Sequence, residues 1–162
     1  NQSARKHFVQ FQRLNIFLTV LLLALSGSNV AALETNDLQL EQYQGQVVVV
    51  DFWASWCVPC RRSFPWMNDM QAKYGDQGLV VIAVNVDRER AAAEEFLAEV
   101  PADFRKHYDN DGDVPEAFGV EAMPSSYVIG RDGEIVARHL GFKVKKQDEY
   151  EAILVKALGV SP

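Results

Sequence analysis

Residues 47–60 read Val47-Val48-Val49-Val50-Asp51-Phe52-Trp53-Ala54-Ser55-Trp56-Cys57-Val58-Pro59-Cys60, an apolar run that ends at two cysteines spaced by two residues. Valines and aromatics in unbroken succession are the pattern of a strand buried on both faces of a parallel sheet. The cysteines fall where such a strand gives way to a helix. At a helix N-terminus the free backbone N–H groups and the helix dipole favour a thiolate. Two thiols placed there are in reach of each other, an arrangement suited to passing a disulfide to and from another molecule.

Cys57 and Cys60 are the only cysteines among 162 residues. A structural zinc site would need two histidines besides, and His7, His107 and His139 show no ligand-like spacing. A purely structural disulfide between residues so close would close too small a loop to remove much unfolded-chain entropy. Redox chemistry is the reading that the pair supports, and no metal site is expected. Asp109-Asn110-Asp111-Gly112-Asp113 looks like the start of a calcium loop. The pattern calls for Gly at its sixth place and Glu at its twelfth, where Val114 and Val120 stand, so a turn capping a short helix is expected instead.

Arg5, Lys6 and Arg13 precede the apolar stretch 16–25, and small residues follow up to Ala31-Ala32. A basic start, a short apolar core and a small-residue finish make an export signal over residues 1–32, cleaved after Ala32 or kept as a membrane anchor. Residues 33–162 then form one domain. Residues 1–32 carry three basic and no acidic side chains, so their removal takes the formal charge from −6 to −9. An acidic domain argues against nucleic-acid binding. Export places the cysteine pair outside the cytoplasm, in a periplasm-like oxidising compartment, where a dedicated partner must drive a reactive pair.

Along the domain, Gly45 marks a turn before the first strand. A helix runs from the cysteines to Tyr74 with Phe64, Met67, Met70 and Tyr74 on one face and Pro65 as an expected kink. Leu79–Val86 reads as a second buried strand and Arg90–Val100 as a helix stopped by Pro101. A short strand at Phe104–Tyr108 and a brief helix at Val114–Phe118 follow. Ser125–Ile129 and Ile135–Leu140 are strands joined through the Asp132-Gly133 turn, and Tyr150, Ile153, Leu154, Ala157 and Leu158 form the core stripe of a last helix. The order β-α-β-α-β-α-β-β-α implies an α/β fold, a mixed sheet with helices on both faces.

Asp51 through Cys60 closely resembles the active-site strand and loop of thioredoxins. Pro65, five residues after Cys60, resembles that family's helix proline, Met123-Pro124 its cis-proline loop, and Gly141 the glycine after the final strand. The extra helix and strand between Asp87 and Met123, with the export signal, look like the TlpA/ResA-like branch of exported thiol–disulfide oxidoreductases. The resemblance implies a thioredoxin-like fold with an insertion between the Cys-x-x-Cys half and the cis-Pro half. It also implies a redox-active Cys57–Cys60 disulfide with no other cofactor. Clients would be exported proteins carrying disulfides, such as apocytochrome c or copper-site assembly factors, and electrons would come from a membrane donor of the DsbD or CcdA kind.

Within that frame Cys57 is the expected exposed nucleophile and Cys60 the inner, resolving thiol. Asp51 is the candidate acceptor of the Cys60 proton. Trp53 and Trp56 are expected to shield the pair, and Trp56, Pro59, Met123 and Pro124 are expected to meet the client. Two departures stand out. Ser63 occupies the place where some exported reductases carry a glutamate, and Ala83 stands where many thioredoxins have a lysine facing the aspartate. Without that cation, desolvation is expected to raise the pKa of Asp51. No histidine lies between the cysteines, which favours a reductant over a dithiol oxidase. The other alternative is a copper-binding assembly chaperone, for which His139 would have to reach the pair.

Overall fold

The structure is a computed structural model that describes residues 38–161. The export segment expected at residues 1–32 lies outside them. In chain order the elements are β1 (Val47–Trp53), α1 (Val58–Tyr74), β2 (Leu79–Asn85), α2 (Arg90–Glu99), β3 (Arg105–Tyr108), α3 (Asp113–Ala117), β4 (Ser125–Ile129), β5 (Ile135–Leu140) and α4 (Gln147–Leu158). Among the described residues the five strands form one sheet in the order β3-β2-β1-β4-β5. β1 pairs in parallel with β2, and β2 with β3; β4 runs antiparallel to both β1 and β5. This is the mixed thioredoxin-like sheet that the element order implies, and α2 with β3 is the insertion.

β1 is the central strand, and all seven of its side chains are buried. Full burial is worth roughly 2 kcal/mol for each valine, so its apolar run stabilises the sheet from both sides. Val47, Val49 and Trp53 face one layer, where they pack with Phe64, Met67, Met70 and Tyr74 of α1, Ala93 and Phe96 of α2, and Leu154 and Leu158 of α4. Val48, Val50 and Phe52 face the other, with Val114 of α3, Tyr127 of β4, and Leu38 and Tyr43 from the turn that precedes β1. Two same-handed crossovers stepping in one direction across the sheet put α1 and α2 on one face. The return from β3 to β4 reverses direction, and α3 takes the opposite face.

Several local expectations meet their outcomes here. α1 continues through Pro65 as one helix, and Pro59 lies in its first turn, where a missing N–H costs little. β3 begins at Arg105 rather than Phe104, because Phe104 turns inward against Phe64, ring centres 5.2 Å apart. The acidic stretch at 109–113 is a capping turn. Asp109 accepts hydrogen bonds from the backbone N–H groups of Gly112 and Val114 at 3.1 and 2.9 Å. Gly133, with φ of +84°, supplies the left-handed residue of the β4–β5 turn. Arg131, which sequence reasoning passed over, ties that turn down by donating to the carbonyls of Gly45, Gln77 and Leu158. No helix of the described residues is long and apolar enough to cross a membrane.

Candidate active site

The C-terminal end of β1 delivers the chain to a short loop, Ala54–Trp56, and then to Cys57, the N-cap of α1. Cys57 Sγ accepts the backbone N–H of Cys60 at 3.3 Å, so a sulfur caps the helix in the role a serine oxygen usually fills. Cys57 and Cys60 are joined as a disulfide, with Cα atoms 5.3 Å apart. Both are buried, Cys57 at 3% exposure and Cys60 at 0%. The expected ordering is present, but its margin is small: Cys57 is not an openly exposed sulfur in the disulfide form.

The loop ahead of the disulfide is held by a carboxylate that the sequence reading did not single out. Asp87, two residues past β2, accepts the Ser55 N–H at 2.8 Å, the Ser55 hydroxyl at 2.9 Å and the Asn85 side-chain amide at 2.8 Å. Asn85 in turn accepts the Asp87 N–H. The end of β2 thus clamps the start of the redox loop. Its signal in the sequence was an Asn-x-Asp at the end of a buried strand, a pattern that marks a turn but does not name what the turn holds.

The tryptophans divide. Trp53 is wholly buried, edge-on to Phe64 and tilted against Phe96 at 5.0 and 4.8 Å, in the cluster that includes both cysteines. Trp56 is 69% exposed and Val58 65%. Trp53 thus belongs to the core beside the pair, while Trp56 and Val58 lie on the surface next to it. Pro59 is half-buried beside them. Ser63 is buried and spends its hydroxyl on the Cys60 carbonyl at 3.1 Å, so it offers the sulfurs no carboxylate.

Met123-Pro124 is a cis peptide bond, and Pro124 accepts the N–H of Gly141 at 2.8 Å. Gly141 has φ of +70°, a conformation that suits glycine. The bond thereby fastens the cis-Pro loop to the end of β5.

Asp51 is the most unusual group of the site. It is 1% exposed, on the face of β1 that carries Val49 and Trp53, and its register partner on β2 is Ala83. Burial pushes its carboxyl up to about 7, tempered by a hydrogen bond from the Ser126 hydroxyl. That bond reaches Asp51 Oδ1 at 2.5 Å, while Oδ2 has no partner among the described residues. Ser126 escaped the sequence reading. The signal that pointed to it is its place two residues beyond Pro124, but the cross-strand register that pairs it with Asp51 cannot be read from one strand alone. His139 lies opposite Ser126 on β5 and packs against Tyr150 at 4.7 Å, with burial holding its imidazole below the usual range. Among the described residues no three His, Cys, Asp or Glu side chains are grouped as a metal site requires.

The fold and the Cys57–Cys60 disulfide agree with the comparisons. The Redoxin family profile matches residues 23–154. The thiol-disulfide oxidoreductase ResA of Bacillus thuringiensis subsp. konkukian is 31% identical over 122 residues, covering 75% of this chain and 70% of that protein. A crystal structure from Chlorobium tepidum described as a thiol:disulfide interchange protein DsbE is 48% identical. It superposes with a TM-score of 0.72 over 74% of this chain and 85% of the other. The structure of MTB dsbF in mixed oxidised and reduced forms is 25% identical, with a TM-score of 0.65 over 72% and 84% of the two chains. The chain belongs to the redoxin family, in its TlpA/ResA-like branch, and is a thiol–disulfide oxidoreductase.

Proposed function

We propose that the protein reduces disulfides of exported client proteins through the Cys57/Cys60 dithiol, on the outer side of a membrane. The observation that carries this reading is the disulfide itself, seated at the N-cap of α1 with Val58 and Pro59 between its cysteines. A helix N-terminus lowers the pKa of the first cysteine. The absence of a histidine or other cation between the cysteines leaves the dithiol form less stabilised than in strong oxidants, which favours giving electrons away.

In the reduced protein the Cys57 thiolate attacks one sulfur of the client disulfide. A Cys57–client bond forms, the client S–S bond breaks, and the other client sulfur leaves as a thiolate. The Cys60 thiol then loses its proton to Asp51 and attacks Cys57. The second client sulfur is released, and the Cys57–Cys60 disulfide returns. The client gains two electrons, its two thiolates take their protons from the solvent, and a membrane dithiol donor of the DsbD or CcdA kind resets the pair. Met123, held beside cis-Pro124, offers backbone to an extended client segment, as in strand addition. Exposed Trp56, with Pro59, supplies apolar contact. The basic and apolar pattern of residues 1–32 supports export to a periplasm-like compartment, with clients of the cytochrome c or copper-site assembly type.

Trapping with Cys60→Ser tests the proposal. Long-lived mixed disulfides through Cys57 to exported proteins are expected, and Cys57→Ser is expected to abolish insulin reduction. Faster alkylation of Cys60 than Cys57 would reverse the two roles. A measured potential above about −180 mV, that of protein disulfide isomerase, would reverse the direction of transfer.

A further inference from the structure

Asp51 belongs to a row of residues that face one way across the sheet: Lys106 on β3, Ala83 on β2, Asp51 on β1, Ser126 on β4 and His139 on β5. Directly opposed residues of neighbouring strands have Cβ atoms about 5 Å apart. Within this row the one hydrogen bond to Asp51 comes from Ser126, and Ser126 is only half-buried where Asp51 is sealed. The lysine side of the row contributes nothing, since Ala83 has no polar atom and Lys106 donates to the Ala102 carbonyl instead.

We propose that Ser126 is a positioning residue of the redox reaction: its hydroxyl fixes Asp51 Oδ1 and leaves Oδ2, which has no partner among the described residues, as the oxygen that takes the proton. This rests on the reading of Asp51 as the base for Cys60.

When the Cys60 S–H bond breaks, an O–H bond forms on Asp51, and no electrons move in that transfer. When the disulfide is next reduced, Asp51 returns the proton: its O–H bond breaks and an S–H bond forms on Cys60 as that sulfur leaves Cys57, while the Ser126 hydroxyl stays bonded to Oδ1 throughout. Ser126 thus takes the place of the missing lysine with a neutral donor. A hydrogen bond to a carboxylate lowers its pKa without adding a charge to the interior. That compensates part of the desolvation and keeps Asp51 able to both take and return a proton near neutrality.

The groups around Asp51 and Ser126 can each be tested. They are Cys60 of α1, in the layer on the side of β1 that carries Asp51, His139 from β5 with Tyr150 of α4 packed on it, and Lys106 at the far end of the row. Strand β2 presents Ala83 and Asn85, neither of which carries a charge.

The experiment titrates Asp51 directly, by carbon-13 NMR of labelled aspartate in the oxidised full chain, for wild type and for Ser126→Ala, Ser126→Val and Ser126→Thr. Loss of one hydrogen bond to the carboxylate is expected to move the titration up by about one pH unit in the Ala and Val variants. Thr, which matches Val in shape but keeps the hydroxyl, should hold it in place. In dithiothreitol-driven insulin reduction, Ala and Val should then be roughly fivefold slower in kcat at pH 7, recover by about pH 9, and keep their KM. An unmoved titration in folded Ala or Val protein would overturn the proposal, as would equal behaviour of Thr and Val. Should Ala fail to fold, the Val–Thr pair carries the same comparison. His139→Gln is expected to leave the Asp51 titration where it is, and a shift there as large as that of Val would transfer the role to His139 and overturn the assignment to Ser126. A moved titration with an unmoved rate profile would overturn the catalytic half. If Asp51→Asn then turned over at the wild-type rate as well, the fault would lie in the reading of Asp51, not in its coupling to Ser126.

Discussion

Asp51 and Asp87 are both buried carboxylates beside the redox loop, and they are built for opposite ends. Asp87 receives three donors across its two oxygens and faces the turn that carries Ser55. Asp51 receives one donor, keeps an oxygen without a partner among the described residues, and lies between valines and aromatics. A buried carboxylate whose lone pairs are met by fixed donors is a clamp. One left short of donors prefers to hold a proton and can exchange it. On the proposed mechanism, the difference between the two regions is the difference between holding the redox loop and exchanging a proton with it.

The largest test of that contrast is stability against pH. Asp51 binds its proton more tightly in the folded chain, near 7, than in the unfolded chain, near 3.8. Between those values the native state holds the extra proton, so stability falls as pH rises and the loss is complete above about pH 7. Asp51→Asn removes that loss. It is expected to unfold at the same denaturant concentration as wild type near pH 4 and to gain as much as about 4 kcal/mol at pH 8, a ceiling set by the size of the shift. Chemical denaturation at both pH values checks this; a variant destabilised at pH 8 would show that Asp51 is a satisfied structural group like Asp87.

Asp87→Ala should act the other way. Removing the acceptor leaves the Ser55 N–H and hydroxyl and the Asn85 amide unmet, at an expected cost of about 3 kcal/mol. Thermal melts across pH 6 to 9 measure it, and the loss should be similar throughout that range. Insulin reduction should suffer in proportion to loop disorder rather than follow a new pH profile.

Third in size is the catalytic effect of Asp51→Asn. Loss of a general base costs about a hundredfold or more in rate, and the slowing should appear at neutral pH in an otherwise folded protein. Equal rates for wild type and variant from pH 6 to 9 would collapse the contrast and leave two structural aspartates. The smallest effect is expected from Trp56→Ala. An exposed side chain contributes within about 0.5 kcal/mol to stability, so melting should hardly change while KM for protein disulfides rises and turnover of a small disulfide does not. A large loss of stability would mean that Trp56 covers the core after all.

Much of this molecule was legible from spacing and hydrophobic pattern. The run Val47–Trp53 announces a strand buried on both faces because no polar face interrupts it, and it became β1 at the centre of the sheet. Of the stripe Tyr150, Ile153, Leu154, Ala157 and Leu158, Tyr150, Leu154 and Leu158 are buried and Ile153 and Ala157 half-buried at its flank. The pair Cys57 and Cys60 marks the redox loop by local chemistry alone. What pattern could not reach was anything decided by a neighbour far along the chain. Trp53 and Trp56 differ by three positions and look alike in sequence, yet one is sealed among Phe64 and Phe96 and the other stands in solvent.

The sequence by itself determined the strand and helix order, the reactive pair and the unusual buried acid, because each follows from local propensity, periodicity or residue chemistry. Only the tertiary structure decided who answers that acid. The register of β4 on β1 brings Ser126 to Asp51 from 75 residues away, and Asp87 reaches Ser55 across 32. Such pairings depend on strand register and on the return of the chain across the sheet, which belong to the packed whole and to no single segment.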